Sequence, residues 1–375
     1  MKKNILITGS TGFIGKNLLQ TLNYQYKDLK VSTVCHLSSE KILKTKLLKA
    51  DYLIHLAGVN RPKKKILFEN NFQFTSKLCN LIDSSKKKVS IIYTSTAHID
   101  RNYNKSDILK KYVDSKLKSE EILKKISKEK KFSLYIFRVP HVIGKYAKPN
   151  YNSVIATFCH NIARNKKIKI SKADPSLEII HIDNLIDRFL KIIISNKYPS
   201  KISILRPKQF KAKVSYIAKR LKQIDKSIID NHIFRPINLF EKVLYSTYIT
   251  YLPKNKIIRK IKTNFDKRGN FSEVLKSKDF GQLSYFTSLN NISRGNHYHN
   301  LKCEIFLVVS GRAEYLSTNI FTKREIKTFL SADNPHIIRT IPGDIHSIKK
   351  IGKKELIVLV WSNEIFNKNL PDTYS

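Results

Sequence analysis

Two groups of residues in this chain have the types and spacing to do chemistry. The first is Tyr112 and Lys116, in "YVDSK" (112–116). Four residues apart on a helix, they share a face. An ammonium beside a phenol lowers the phenol's pKa, so Tyr112 can exchange a proton with an oxygen of a bound molecule. Ser95 and Thr96, closing "IIYTST" (91–96), can hydrogen-bond the same oxygen. The second group is His297, His299 and Glu304, in the pattern His-x-His-x(4)-Glu-x(6)-Gly over 297–311. Alternate strand residues point to one face, so the two histidines project together. Glu304 would lie across a turn on the neighbouring strand, and His346 follows in "TIPGDIHSI" (340–348). Three imidazoles and a carboxylate suit Zn, Fe, Mn or Ni. A bare His-x-His is more often two satisfied core residues. The added Glu, Gly and later Pro-Gly…His turn the reading toward a metal.

A third pattern can hold a phosphate-bearing ligand. "TGSTGFIG" (8–15) places Gly9, Gly12 and Gly15 between an apolar run and a helical stretch. Such glycines allow a tight turn, bring backbone close to a pyrophosphate, and aim a helix N-terminus at it. The whole turn, Gly9, Ser10, Thr11, Gly12, Phe13, Ile14 and Gly15, is therefore expected to bind a dinucleotide. An acidic residue at the end of the second strand would bind a ribose 2′-hydroxyl and repel a 2′-phosphate. "TVCHLSS" (33–39) has none, and His36 stands there instead, which favours NADP(H).

The elements that must position these groups fall into two textures. Up to about residue 190, short β-rich runs alternate with helical stretches: "NILIT" (4–8), "KVSTVC" (30–35), "DYLIHLA" (51–57), "VSIIYTS" (89–95) and "LYIFRV" (134–139). The amphipathic segment 108–126, which carries Tyr112 and Lys116, lies between the last two. This alternation predicts parallel βαβ units with right-handed crossovers. From about residue 255 short strands and turns dominate, as in "EIFLVVSGRAEYLS" (304–317), which predicts an all-β barrel or sandwich. The division is expected at 245/246, giving domains 1–245 and 246–375, with "VLYSTYITYLP" (243–253) as a bridge.

The formal net charge of +42 invites a nucleic-acid reading. Of the 71 basic residues only 14 are Arg, and the lysines are dispersed, as in "KKKIL" (63–67). No zinc-finger, helix-turn-helix or RNA-recognition pattern accompanies them, so no nucleic-acid partner is expected. No apolar run reaches the roughly 20 residues of a membrane span, so no membrane partner is expected. "NILIT" is too short for a signal-peptide core, and four scattered Cys suggest a reduced, cytoplasmic chain.

Residues 1–240 resemble the extended short-chain dehydrogenase/reductase family, which acts largely on nucleotide sugars. Thr96, Tyr112 and Lys116 fall on that family's catalytic Ser/Thr–Tyr–Lys triad. "HLAGVNRP" (55–62) fits its cofactor-lining fourth strand, which implies cofactor contacts for Leu56, Ala57 and Gly58 beside those of Tyr112 and Lys116. "FRVPHVIG" (137–144) resembles R-x-x-N-x-[YF]-G, with His141 in the place of the substrate-contacting Asn. Ala97-His98 stands where the dehydratase branch has Asp-Glu, so a reductase or epimerase is expected rather than a dehydratase.

The pattern at 297–346 resembles the cupin motifs, although "PGDIH" (342–346) is one residue shorter than P-x-G-x-x-H. "SRGNHYH" (293–299) also resembles the R-G-x-H stretch of sugar-nucleotide 3,5-epimerases of the cupin superfamily, where Arg engages the diphosphate and His removes a proton beside a ketone. Arg294 is then a substrate contact, and His297 is either a metal ligand or the base.

The whole chain is similar to the CapF-type bifunctional enzymes of capsular polysaccharide synthesis. The similarity extends to "KPNYNSVIATFCHNIARN" (148–165), "LFEKVLYSTYITYLP" (239–253), "DKRGNFSEVLKS" (266–277) and "LPDTYS" (370–375). It implies a Rossmann-type doubly wound parallel sheet followed by a cupin barrel, with Asn152 at the substrate. It implies Zn on His297, His299, Glu304 and His346. The implied substrate is UDP-2-acetamido-2,6-dideoxy-β-L-hexos-4-ulose, a UDP-activated 4-keto-6-deoxy amino sugar, inverted at C3 by the cupin domain. NADPH then reduces C4, giving the L-talose product on the way to N-acetyl-L-fucosamine. A homodimer or larger assembly is implied. Two rival readings are a C4-keto reductase with a structural zinc cap, and a non-catalytic sensor of NADP(H) and sugar nucleotide.

Overall fold

Short apolar runs buried on both faces form the centre of the first sheet, as a parallel sheet covered by helices requires. The computed structural model describes residues 3–60, 68–85, 87–101, 106–195, 201–289 and 291–375. Strands β1 (Asn4–Thr8), β2 (Lys30–Val34), β3 (Tyr52–His55), β4 (Ser90–Thr96) and β5 (Leu134–Val139) are the five expected from sequence. The chain then leaves the sheet through β6 (His141–Ile143) and β7 (Ser176–His181) and returns as β8 (Ile202–Leu205). The order is β2-β1-β3-β4-β5-β8, and every pairing is parallel. Strands β6, β7 and β9 (Phe210–Lys213) make a separate three-stranded sheet.

Helices cover both faces. On one lie α1 (Phe13–Gln25) and α6 (Ile182–Ile194), whose Leu18, Leu22, Leu185 and Phe189 pack on Ile5, Ile7 and Ile92. On the other lie α2 (Glu40–Lys49), α3 (Glu69–Asp83) and α4 (Asp107–Lys130), whose Leu43, Leu78 and Leu123 pack on Leu6, Leu53 and Ile91. The sheet is therefore doubly wound. Its order reverses between β1 and β3, and the crevice beyond their carboxyl ends is where such sheets bind ligands.

The first compact unit comprises Met1–Lys222 and Pro236–Leu252. It includes α5 (Val154–Ala163), most of α7 (Val214–Ile229), and α8 (Leu239–Ile249). Residues 245 and 246, the sequence-derived division, lie inside α8, which buries Phe240, Leu244 and Tyr248.

The second unit comprises Gln223–Arg235 and Pro253–Ser375. After the short α9 (Lys254–Ile257) come β10 (Thr263–Asp266), β11 (Gly269–Ser277), β12 (Gly281–Ser288), β13 (Ser293–His297) and β14 (Glu304–Ser310). They are followed by β15 (Arg312–Asn319), β16 (Glu325–Ser331), β17 (Ile337–Arg339), β18 (Asp344–Ile351) and β19 (Leu356–Ser362). These strands form two antiparallel sheets, β10-β11-β12-β19-β14-β17 and β13-β18-β15-β16. Phe286, Phe306, Val358 and Val360 of the first share a core with Ala313, Tyr315, Leu330 and Ile348 of the second. This is the expected all-β, cupin-like architecture. Among the described residues no helix is long and apolar enough to cross a membrane.

Candidate active site and metal centre

A cavity of about 990 Å³ opens at the carboxyl ends of the parallel strands. The glycine turn forms one wall, and the glycines are needed for close approach. Gly9 has φ +72°, and a Cβ there would sit 2.6 Å from the Ala57 nitrogen. A Cβ on Gly15 would sit 2.3 Å from the Gly9 carbonyl oxygen. Gly12 caps α1 with no side-chain hydrogen bond, so the first-turn N–H groups stay available to an anion. Thr11, Phe13 and Ile14 line the cavity with them, as do Leu56 and Gly58. Ser10 and Ala57 stand behind this wall, where they limit how near Gly15 and Gly9 can come. His36 lies exposed in the turn after β2, outside the cavity lining. The stretch expected as a fourth strand is the end of β3 and the turn after it, and residues 61 and 62 lie outside the described residues, as does "KKKIL".

Helix α4 carries Tyr112 and Lys116, the pair expected to do acid–base chemistry. Ser106 caps it by accepting from Leu109 N–H at 3.4 Å, Asp107 sits in its first turn, and Lys128 and Lys130 close the last. These charges favour both ends of the helix dipole. Tyr112 faces the cavity beside Phe68, with ring centroids 5.8 Å apart. Burial pushes the Tyr112 hydroxyl above its ordinary pKa, and a hydrogen bond with Thr96 works in the opposite direction. The net effect in the free protein is thus opposite to the lowering expected from sequence. Burial is the largest cause, and the Lys116 ammonium is engaged elsewhere. Lys116 Nζ donates to the Thr94 carbonyl at 3.0 Å and lies 4.8 Å from the centroid of the Tyr93 ring. Burial lowers the Lys116 pKa to about 8, with Glu120 opposing. A Cβ on Gly58 would come within 3.1 Å of Lys116 Nζ, so this glycine leaves room for the lysine.

Sequence reasoning missed the supports beneath this pair. Glu120, wholly buried on α4, accepts from Arg138 Nε at 3.1 Å and from Nη2 at 2.7 Å. Arg138 on β5 also bonds Asp100, which Arg206 grips through Nε and Nη2, both at 2.9 Å. A carboxylate four residues beyond Lys116 on the same helix face was the available signal. His55 is a second support. It is buried between the hydroxyls of Thr8 and Thr75, at 2.7 and 3.0 Å, and burial together with the Lys116 charge lowers its pKa to about 3.

At the cavity's other side, His141 on β6 meets His98 edge-on, with centroids 6.2 Å apart. Burial, then the neighbouring His98 and Arg101, lowers the His141 pKa to about 4, so it is neutral near pH 7. Asn152 lines the same cavity, together with Lys145 and Lys148. The space therefore joins the Thr96 and Tyr112 hydroxyls to cationic and neutral donors that could take an anionic ligand.

In the second unit His297, His299, Glu304 and His346 converge, with one ligand atom from each lying within 4.8 Å of the others. Register accounts for this: β13 pairs with β18 so that His297 faces His346, with a bulge between Gly295 and His297. Gly295 has φ +106°, and a Cβ there would sit 2.5 Å from the His346 carbonyl oxygen. Glu304 Oε2 lies 3.6 Å from His299 Nε2 and 3.4 Å from His346 Nε2. Burial raises the Glu304 pKa, but the close approach of the His299 and His346 rings outweighs it and brings it to about 2. Among the described residues, the buried His299 Nε2 and both His346 ring nitrogens have no hydrogen-bond partner. Buried polar atoms left so are costly, and a divalent cation would satisfy the two Nε2 atoms. The donor set therefore fits Zn or a similar ion. Arg294 is directed elsewhere: Nε and Nη2 donate to the Thr287 and Asn270 carbonyls at 3.1 and 3.3 Å, and the guanidinium covers the Phe286 ring.

Comparison with known proteins places both units. Residues 5–203 match the NAD dependent epimerase/dehydratase family, and residues 264–374 match the polysaccharide biosynthesis C-terminal domain. The chain is 34% identical over 374 residues to a UDP-2-acetamido-2,6-beta-L-arabino-hexul-4-ose reductase of Pseudomonas aeruginosa, covering 99% of this chain and 98% of that one. The capsular polysaccharide assembling protein CapF of Staphylococcus aureus superposes with a TM-score of 0.86 at 34% identity, over 99% of both chains. A UDP-glucuronic acid 4-epimerase of Bacillus cereus shares the fold of the first unit at 16% identity, with a TM-score of 0.55 over 66% of this chain and 98% of that one.

Proposed function

The chain belongs to the CapF-type family of capsular polysaccharide enzymes, and on that premise we propose that it inverts C3 and then reduces C4 of a UDP-activated 4-keto sugar. The substrate is UDP-2-acetamido-2,6-dideoxy-β-L-hexos-4-ulose, and the product is UDP-2-acetamido-2,6-dideoxy-β-L-talose. The observation that carries this reading is one cavity holding the glycine turn, Thr96, Tyr112 and Lys116 in a chain related end to end to a 4-ketose reductase.

NADPH, when bound, supplies the hydride. The residues from Gly9 to Gly15 would hold its pyrophosphate, with Leu56 and Gly58 bordering it and Ala57 backing them. Thr96 and Tyr112 hydrogen-bond the C4 ketone oxygen. Tyr112 gives its hydroxyl proton to that oxygen as the alcohol forms, and Lys116 would orient the ribose and, on leaving the Thr94 carbonyl, stabilise the resulting phenolate. His141 and Asn152 contact the sugar nucleotide. His36 and the lack of an acidic residue after β2 support NADPH over NADH.

The same ketone acidifies the C3 proton, because the carbanion left behind delocalises into an enolate. A divalent metal, Zn in this reading, would supply charge stabilisation for that oxyanion when bound. His297, His299, Glu304 and His346 would hold it. The convergence of all four supports His297 as a ligand, and a ligated imidazole is not free to serve as the base. Arg294 is assigned to the diphosphate from its resemblance to the R-G-x-H stretch, which requires the guanidinium to exchange its carbonyl partners. The protein is assigned to the cytoplasm, as a homodimer or larger.

Incubation of the 4-keto substrate in deuterated water, with and without NADPH, tests both halves by NMR. Deuterium at C3 without NADPH and reduction at C4 only with NADPH are expected. Tyr112→Phe should keep the exchange while losing reduction by about 10²–10⁴-fold, the usual worth of a general acid. Loss of both together would sink the two-site reading.

A further inference from the structure

Segment 370–375 has no role in the chemistry above, yet it is tied by a dense set of bonds to the residues on either side of His299. The Asp372 carboxylate accepts three consecutive backbone N–H groups, those of Asn300, Leu301 and Lys302, at 3.0, 2.8 and 2.8 Å. Tyr298 and Tyr374 exchange backbone hydrogen bonds in both directions, at 2.9 and 3.0 Å, and their rings stack at 5.3 Å. Lys302, only 6% exposed, donates to the Pro371 carbonyl at 3.3 Å and to the Thr373 hydroxyl at 3.0 Å. These contacts hold Asp372 at φ +38°, a conformation Asp tolerates better than most residues. They also aim its carbonyl at His299 Nδ1, with which it forms a hydrogen bond.

A carbonyl oxygen can only accept. Nδ1 must therefore carry a proton, and in the neutral ring Nε2 is left with its lone pair. That Nε2 is the buried, unpartnered atom that faces Glu304 Oε2 at 3.6 Å. We propose that segment 370–375 is a strap that sets the tautomer and ring orientation of His299 for metal binding, with Asp372 as its positioning residue. The inference rests on the reading of the four-residue cluster as a metal site. Partners of this kind commonly contribute about 10–100-fold to metal affinity.

The test uses the full-length protein, Asp372→Ala, Asp372→Asn, and a chain stopped after Asn369. Zn affinity is read by competition with a chromophoric chelator. The d–d spectrum of the Co-loaded protein reports ligand geometry, and ¹⁵N-edited NMR of histidine-labelled, metal-free protein reports the His299 tautomer. Asp372→Ala should weaken Zn binding about 10–100-fold, alter the Co spectrum and release the Nδ1–H tautomer. Asp372→Asn keeps an acceptor oxygen and should recover most of the affinity. If the shortened chain does not fold, the two point variants decide. Wild-type protein that takes no metal overturns the metal reading and the strap with it. Wild-type protein that binds Zn, with an Asp372→Ala variant of equal affinity, unchanged spectrum and unchanged tautomer, overturns the strap alone.

Discussion

Replacing Arg138 by Leu removes the main partner of a carboxylate that has no exposed surface. Breaking a buried pair by deleting one member costs about 3–5 kcal/mol, because the other charge stays desolvated. Two features place this case at the low end. Lys124 Nζ lies 3.5 Å from Glu120 and can partly replace the lost charge. Asp100 keeps both of its bonds to Arg206. The expected loss is therefore about 3 kcal/mol, or roughly 6–12 °C in the melting of a unit this size. The sole tryptophan, Trp361, belongs to the second unit, so its fluorescence transition should stay in place while the circular-dichroism transition of the first unit moves down. Adding NADPH identifies that transition by raising it. The double variant Arg138→Leu with Glu120→Met has no buried charge and should recover most of the loss. Acidity gives a second handle. Glu120 has a folded pKa below its unfolded value, because Arg138 and the other donors outweigh burial. Its stabilisation is thus present at pH 7 and fades as pH falls through about 4.5 toward the folded value. Without Arg138, burial prevails and protonation favours the fold. The gap between wild type and Arg138→Leu should therefore narrow on acidification. A single variant that loses less than about 1 kcal/mol, or a double variant no better than the single, would refute the reasoning.

Lys116 should show the opposite economy, since burial depresses its pKa from 10.5 to about 8. The unfolded chain holds the proton between those values, so stability rises with pH across that window, and keeping the ammonium at pH 7 costs up to ~3 kcal/mol. Lys116→Met is expected to be more stable than wild type at pH 7, with the difference gone by about pH 10.5 and ketone reduction lost; calorimetry across pH checks it, and a destabilised variant at pH 7 would count against it. Gly15→Ala places a methyl 2.3 Å from the Gly9 carbonyl oxygen, so nicotinamide fluorescence titration should find NADPH affinity reduced at least tenfold. Glu304→Gln removes the only anionic donor among the four cluster residues, and elemental analysis after dialysis should find less than half the Zn of wild type.

Much of this architecture is legible from short-range spacing, because one helical turn or one strand pleat fixes which side chains share a face. Tyr112 and Lys116, the Gly9–Gly15 turn, and His297 with Glu304 are all of this kind. What spacing does not reveal is the partner supplied from far along the chain. Arg138 meets Glu120 across 18 residues, and Asp372 meets His299 across 73. Nor does it reveal burial, which is why the phenol of Tyr112 is raised when its lysine neighbour argued for the reverse. His346 shows how the two scales combine. "PGDIH" is a residue short of the cupin spacing, and a shift of one residue along a strand turns a side chain to the other face. On β13, however, the bulge advances two residues, from Gly295 to His297, while β18 advances one, from Ser347 to His346. The added residue, Asn296, takes φ +58° and drops out of the pairing. A residue missing before one strand is thus matched by a residue gained in its partner, and His346 meets His297 although the local pattern alone argues that it should not.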